Sequence, residues 1–125
     1  MNATLLVMTG GALGAAARYH LGRWIFHLGG IGFPYGTLVA NVSGGFLMGV
    51  LAGALARSNF VDEPWRLLLG VGLLGGFTTF SSFSLEVLNM IERSEWGTAI
   101  GYALLSVVGA VLALFAGLMT VRALA

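Results

Sequence analysis

Apolar positions fill four long runs of the chain, and polar ones collect in three short breaks. The breaks are HLGGIGFP (27–34), RSNFVDEPWR (57–66) and ERSEWG (92–97), each mixing Gly, Pro or charge as turns do. Crossing the hydrocarbon of a bilayer takes about 20 apolar residues in a helix. The pattern therefore predicts four membrane helices, at about 4–26, 35–56, 65–91 and 97–121. Trp24, Trp65 and Trp96 fall near the predicted ends, where amphipathic rings settle at headgroup level.

The third run is interrupted by GGFTTFSSFS (75–84). Gly75, Gly76, Thr78 and Thr79 are poor helix formers, and threonine hydroxyls compete for backbone groups. A break near Gly75–Thr79 is expected. Backbone freed at that depth is tolerated only where protein, water or an ion satisfies it. In broken transmembrane helices the carbonyls coordinate cations, while the N-terminus of the next half-helix favours anions.

Small residues repeat within the other runs. Thr37, Asn41, Gly45, Gly49 and Gly53 recur every fourth position in the second, Gly10, Gly14 and Arg18 in the first, and Gly109, Ala113 and Gly117 in the fourth. Such stripes let backbones approach closely, either within one subunit or between subunits.

Composition removes other classes of protein. The 125 residues are 58% hydrophobic and 9% charged, with a mean hydropathy of +0.92, outside the range of soluble domains. Four spans leave no length for a soluble domain, so residues 1–125 are expected to form a single four-helix transmembrane domain. With no cysteine, disulfides, thiolate catalysis and cysteine-bound zinc are excluded. A net charge of +1 and six scattered arginines argue against a nucleic-acid partner. The start MNATLLVMTGG lacks a basic segment, and the apolar run continues through Ala15–Ala17, so no removable signal peptide is expected. Arg57, Arg66 and Arg122 fall at one end of the predicted bundle and Arg18, Arg23 and Arg93 at the other. That balance gives the positive-inside rule nothing to act on. A mixture of both orientations suits an antiparallel homodimer; orientation by a partner or by the first helix is the alternative.

Few residues could carry chemistry. Asn41 in hydrocarbon either hydrogen-bonds across helices or faces a polar path, and its uncharged N–H donors suit an anion that must bind and leave. Arg18 either snorkels to the interface, satisfies exposed carbonyls or lines an anion vestibule. Glu86 sits near a mouth, where a solvated carboxylate needs no special role. His20 and His27 have no carboxylate or thiol at metal spacing, so metal binding by them is not expected. Phe80 and Phe83, three apart, share one side of a helix with Ser81, Ser82 and Ser84 interleaved. They either pack against lipid or present the positive edges of their rings to a small anion.

At these residues the chain resembles the Fluc family of fluoride channels, also called CrcB proteins. The likeness runs through GGALGAAARY, GTLVANVSGGFLMG and GGFTTFSSFSLE, with the four-helix length and the neutral charge bias. It implies a passive fluoride-selective channel, not an enzyme, that exports cytoplasmic fluoride and so confers fluoride resistance. The implied assembly is an antiparallel, dual-topology homodimer with two pores, set among the lipids of a bacterial inner (plasma) membrane. It places Asn41, Phe80 and Phe83 on the fluoride path, with hydroxyls of Ser81 and Ser84 beside them and a helix-four polar track at Tyr102 and Ser106. Gly109 and Ala110 stand where a further hydroxyl is expected, which shortens that track. Backbone carbonyls of Gly75 and Thr78 would hold a central structural sodium ion, with no organic cofactor. Arg18 would be a vestibule or folding residue, as would Glu86.

Two other readings compete. A small multidrug transporter is equally short, but proton-coupled export needs a carboxylate at mid-membrane, and helices one, two and four contain none. A non-transporting assembly subunit held by the glycine stripes is the other. No nucleophile, base and orienting group converge as an enzyme requires.

Overall fold

A computed structural model describes residues 2–29, 32–57 and 63–124. Half of the second predicted turn, 58–62, and residues 30–31 of the first lie outside the described residues. The chain is all-helical: α1 (Ala3–His27), α2 (Tyr35–Arg57), α3 (Glu63–Trp65), a π-helical segment (Arg66–Leu74), α4 (Gly75–Phe77), α5 (Phe80–Glu92) and α6 (Trp96–Ala123). From α3 through α5 these form one interrupted run of 30 residues, Glu63–Glu92, so the described elements occupy the four predicted segments. Among the described helices, α2, Glu63–Glu92 and α6 are both long and apolar enough to cross a membrane. At 25 residues α1 is long enough, but its second half carries Arg18, His20, Arg23 and His27.

Local signals start and stop these helices. The Asn2 side chain caps α1 by accepting from the Thr4 amide at 2.8 Å, satisfying a donor the first turn leaves orphaned. Pro64 is tolerated because it sits in the first turn of α3, where its missing N–H has no helical partner. Gly29 and Gly32 bend the chain out of α1 with φ of +100° and +94°, conformations that favour glycine.

The small-residue stripes are consumed as seams inside the chain. A Cβ added at Gly49 would meet Leu118 N at 2.9 Å, and one at Gly117 would meet Val50 N at 2.9 Å, so α2 and α6 touch backbone to backbone. Gly10 and Gly14 receive the backbone of the π-helical segment in the same way, with Leu73 N 2.7 Å from a Cβ at Gly10. Without a hydrophobic drive between helices in lipid, such approach is what dispersion and weak polar contacts require. Outward-facing apolar side chains are many; Trp24, Trp65 and Trp96 at the predicted ends are all exposed.

The third span breaks at the expected place. Thr78 (φ −88°, ψ 156°) and Thr79 (φ −150°, ψ 121°) are both extended. Thr78 seals the end of α4, its N–H and its hydroxyl both donating to the Leu74 carbonyl at 3.0 Å. Thr79 caps α5, its Oγ1 accepting from the Ser82 amide at 3.2 Å.

Candidate functional site

The break is held from two sides by side chains of other helices. Asn41 on α2 accepts from the Thr79 N–H at 2.7 Å and donates Nδ2 to the Thr79 carbonyl at 3.0 Å. That amide therefore bonds sideways rather than to the carbonyl one turn back, at Gly75. Arg18 on α1 donates Nε to the Gly76 carbonyl at 3.2 Å. Of the roles open to Asn41 the first is realised, and Arg18 satisfies a carbonyl of the break rather than only snorkelling. Both also border open space: Arg18 lines a cleft of about 500 Å³ with Arg23, His27 and Thr37.

Beside the break a groove of about 380 Å³ gathers Asn41, Thr78, Thr79, Phe80, Phe83 and Ser106. Among the described residues no charged side chain lines it. Asn41 has two N–H donors and gives one to Thr79, so the other can serve a ligand. Ser106 is buried, and among the described residues its Oγ has no partner in good hydrogen-bond geometry, Tyr102 being its near polar neighbour. The groove thus offers a neutral N–H, a hydroxyl and aromatic rings on a largely apolar wall.

The aromatic rings are layered. Phe80 and Phe83 lie 5.5 Å apart between centroids, Phe83 and Tyr102 5.2 Å, and Phe33 meets Tyr102 edge-on at 5.3 Å. Phe83 is buried while Phe80 is 76% exposed, so in the single chain one ring of the pair has no cover. Gly75 is also exposed and a Cβ there would meet only the Gly70 carbonyl, at 3.6 Å. The break thus leaves part of its backbone uncovered in the single chain.

Four expected path residues, Asn41, Phe80, Phe83 and Ser106, come together, and Tyr102 joins them through Phe83. Ser81 and Ser84 do not line the groove. The Ser84 hydroxyl donates to the Phe80 carbonyl at 2.9 Å, and that of Ser81 lies 3.3 Å from Thr79 Oγ1. On α6 the groove is lined by Ser106 and, one turn beyond it, by Ala110, which has no hydroxyl.

Glu86 is more constrained than a solvated carboxylate. Thr37 Oγ1 donates to its Oε2 at 2.9 Å and the Tyr102 hydroxyl to its Oε1 at 3.0 Å, joining α2, α5 and α6. The stripe through Thr37 and Asn41 carried the signal: both lie on one face of α2, and both turn toward the third span. His20 and His27 join no group of three His, Cys, Asp or Glu among the described residues.

Comparisons with known proteins give the family. The family profile described as CrcB-like protein, Camphor Resistance (CrcB), matches residues 5–118. A fluoride-specific ion channel FluC of Phenylobacterium zucineum is 61% identical, covering 98% of this chain and 97% of its own length. The protein of the same name from Caulobacter vibrioides strain NA1000 is 55% identical over 98% and 97%, and that of Novosphingobium aromaticivorans 51% identical over both full lengths. With a profile match and full-length relatives of this identity, the chain belongs to the CrcB-like family, the Fluc family of multi-pass membrane proteins.

Proposed function

We propose that the protein is a passive fluoride-selective channel that lets fluoride leave the cytoplasm and so confers fluoride resistance. The observation that carries this reading is the groove at the break, where Asn41, Ser106 and the Phe80–Phe83 pair converge with no charged side chain among the described residues. The names of the relatives supply the ion. Fluoride is small and holds its water tightly, so a selective path must replace that shell with closely spaced donors. Neutral donors and ring edges do so without the trap that a cation would make.

The functional unit in this reading is an antiparallel homodimer with two pores, its four spans per subunit crossing a bacterial inner membrane. Support comes from the incomplete surface of the single chain: on the Phe80 side of the groove that ring is exposed, and the Gly75 backbone at the break is exposed too. A second copy laid on this side would cover the rings and complete each path. Balanced arginines permit both insertion directions.

The same break fits a structural sodium ion, a hard cation served by backbone oxygen. With the Thr79 amide committed to Asn41, the Gly75 carbonyl has lost its helical partner, and the Thr78 backbone is extended. Those two carbonyls would hold the ion, which would brace the junction of two copies.

Fluoride and chloride efflux from liposomes holding the purified protein tests the reading, with sodium present or absent. Fluoride should leave and chloride should not; exchange of cationic drug for protons, or no flux of any ion, would contradict it.

A further inference from the structure

From Phe83, which lines the groove, a line of side-chain contacts runs to a second cleft. Phe83 packs on Tyr102, whose hydroxyl donates to Glu86. Glu86 then borders a cleft of about 240 Å³ together with Asn89, Arg93 and the turn Gly32–Phe33–Pro34. An anion moving along the aromatic line meets a carboxylate at this point, which repels it. Among the described residues Arg93 is the cationic side chain lining the same cleft. Its Nε donates to Glu95 Oε1 at 2.6 Å, and both side chains are about half exposed, at 58% and 41%.

We propose that Arg93 sets the electric field of this second mouth. Its charge offsets Glu86 and raises the local fluoride concentration, and Glu95 attenuates it. The inference rests on the fluoride reading above and deepens it. A half-exposed guanidinium paired in solvent is too hydrated to serve as a tight ligand, so it acts at a distance. Such steering is screened by salt: the Debye length falls from about 30 Å at 0.01 M to about 3 Å at 1 M.

Initial fluoride efflux rates from proteoliposomes at fixed pH, in about 10 mM and about 1 M potassium gluconate, test this. Arg93→Gln should slow efflux about threefold at low salt and converge with the unaltered protein at high salt. Arg93→Lys should recover most of the loss, and Glu95→Gln, which frees Arg93, should raise the low-salt rate. Rates for Arg93→Gln and Glu95→Gln equal to an active parent at low salt would overturn the assignment, as would an equal loss at both salts, the mark of a structural role. A parent protein that passes no fluoride would overturn both this inference and the fluoride reading.

Discussion

Asn41 and Thr79 exchange two hydrogen bonds, N–H to Oδ1 at 2.7 Å and Nδ2 to carbonyl at 3.0 Å, across 38 positions of sequence. A side-chain amide thus substitutes for a missing helical peptide at the break. One residue both braces the backbone and borders the groove.

Replacing it separates these roles. Asn41→Ala orphans the Thr79 N–H and carbonyl, at about 1–3 kcal/mol for each buried group, and should lower the thermal unfolding midpoint in detergent by several degrees. Asn41→Asp keeps an acceptor for the Thr79 N–H but puts a negative charge in the groove. It should retain more of the stability than Asn41→Ala and still lose fluoride flux. An unchanged midpoint for Asn41→Ala would contradict the bracing role.

The two phenylalanines differ in exposure but not in expected effect on flux. Phe83 is 9% exposed and Phe80 76%, so Phe83→Ile should cost about 1 kcal/mol of stability and Phe80→Ile close to none. Both should abolish fluoride efflux measured with a fluoride electrode. Undiminished efflux in both variants would remove the rings from the path.

Glycines of the α2–α6 seam should be intolerant. At Gly49 a Cβ would press on the backbone of Leu114 and Leu118, whereas Gly101 has nothing within 4 Å. Gly49→Val should therefore destabilise by about 3 kcal/mol or more. Gly101→Ala, in an open helical position, should be neutral or stabilise by up to about 1 kcal/mol. Chemical or thermal unfolding of the two variants side by side decides this.

Much of the fold was legible because its causes are local. Runs of apolar residues and their polar interruptions located the helices within a few residues, and the pairing of Gly75–Gly76 with Thr78–Thr79 located the break. Asn41 and Arg18 stood out by being costly in hydrocarbon. Their partners did not: a hydrogen bond from Arg18 to Gly76, 58 positions away, depends on packing that no local pattern encodes. The π-helical winding of Arg66–Leu74 was equally hidden, since propensity does not distinguish one helical hydrogen-bond spacing from another. Glu86 was expected to be solvated because its position along the helix is near an end; Thr37 and Tyr102 come from two other helices to hold it. For Ser81 and Ser84, which the resemblance placed beside the phenylalanines, the local hydrogen bonds were hidden: the Ser84 hydroxyl turns back to a carbonyl of its own helix, and that of Ser81 meets Thr79 Oγ1.

The central claim is that uncharged groups beside the break pass fluoride and reject chloride. The reversal potential of the purified protein in a planar bilayer, under opposed fluoride and chloride gradients, tests it most directly. A shift of about 59 mV per tenfold change in fluoride, unmoved by chloride, is the predicted result. A reversal potential that follows chloride, or that ignores fluoride, would contradict it.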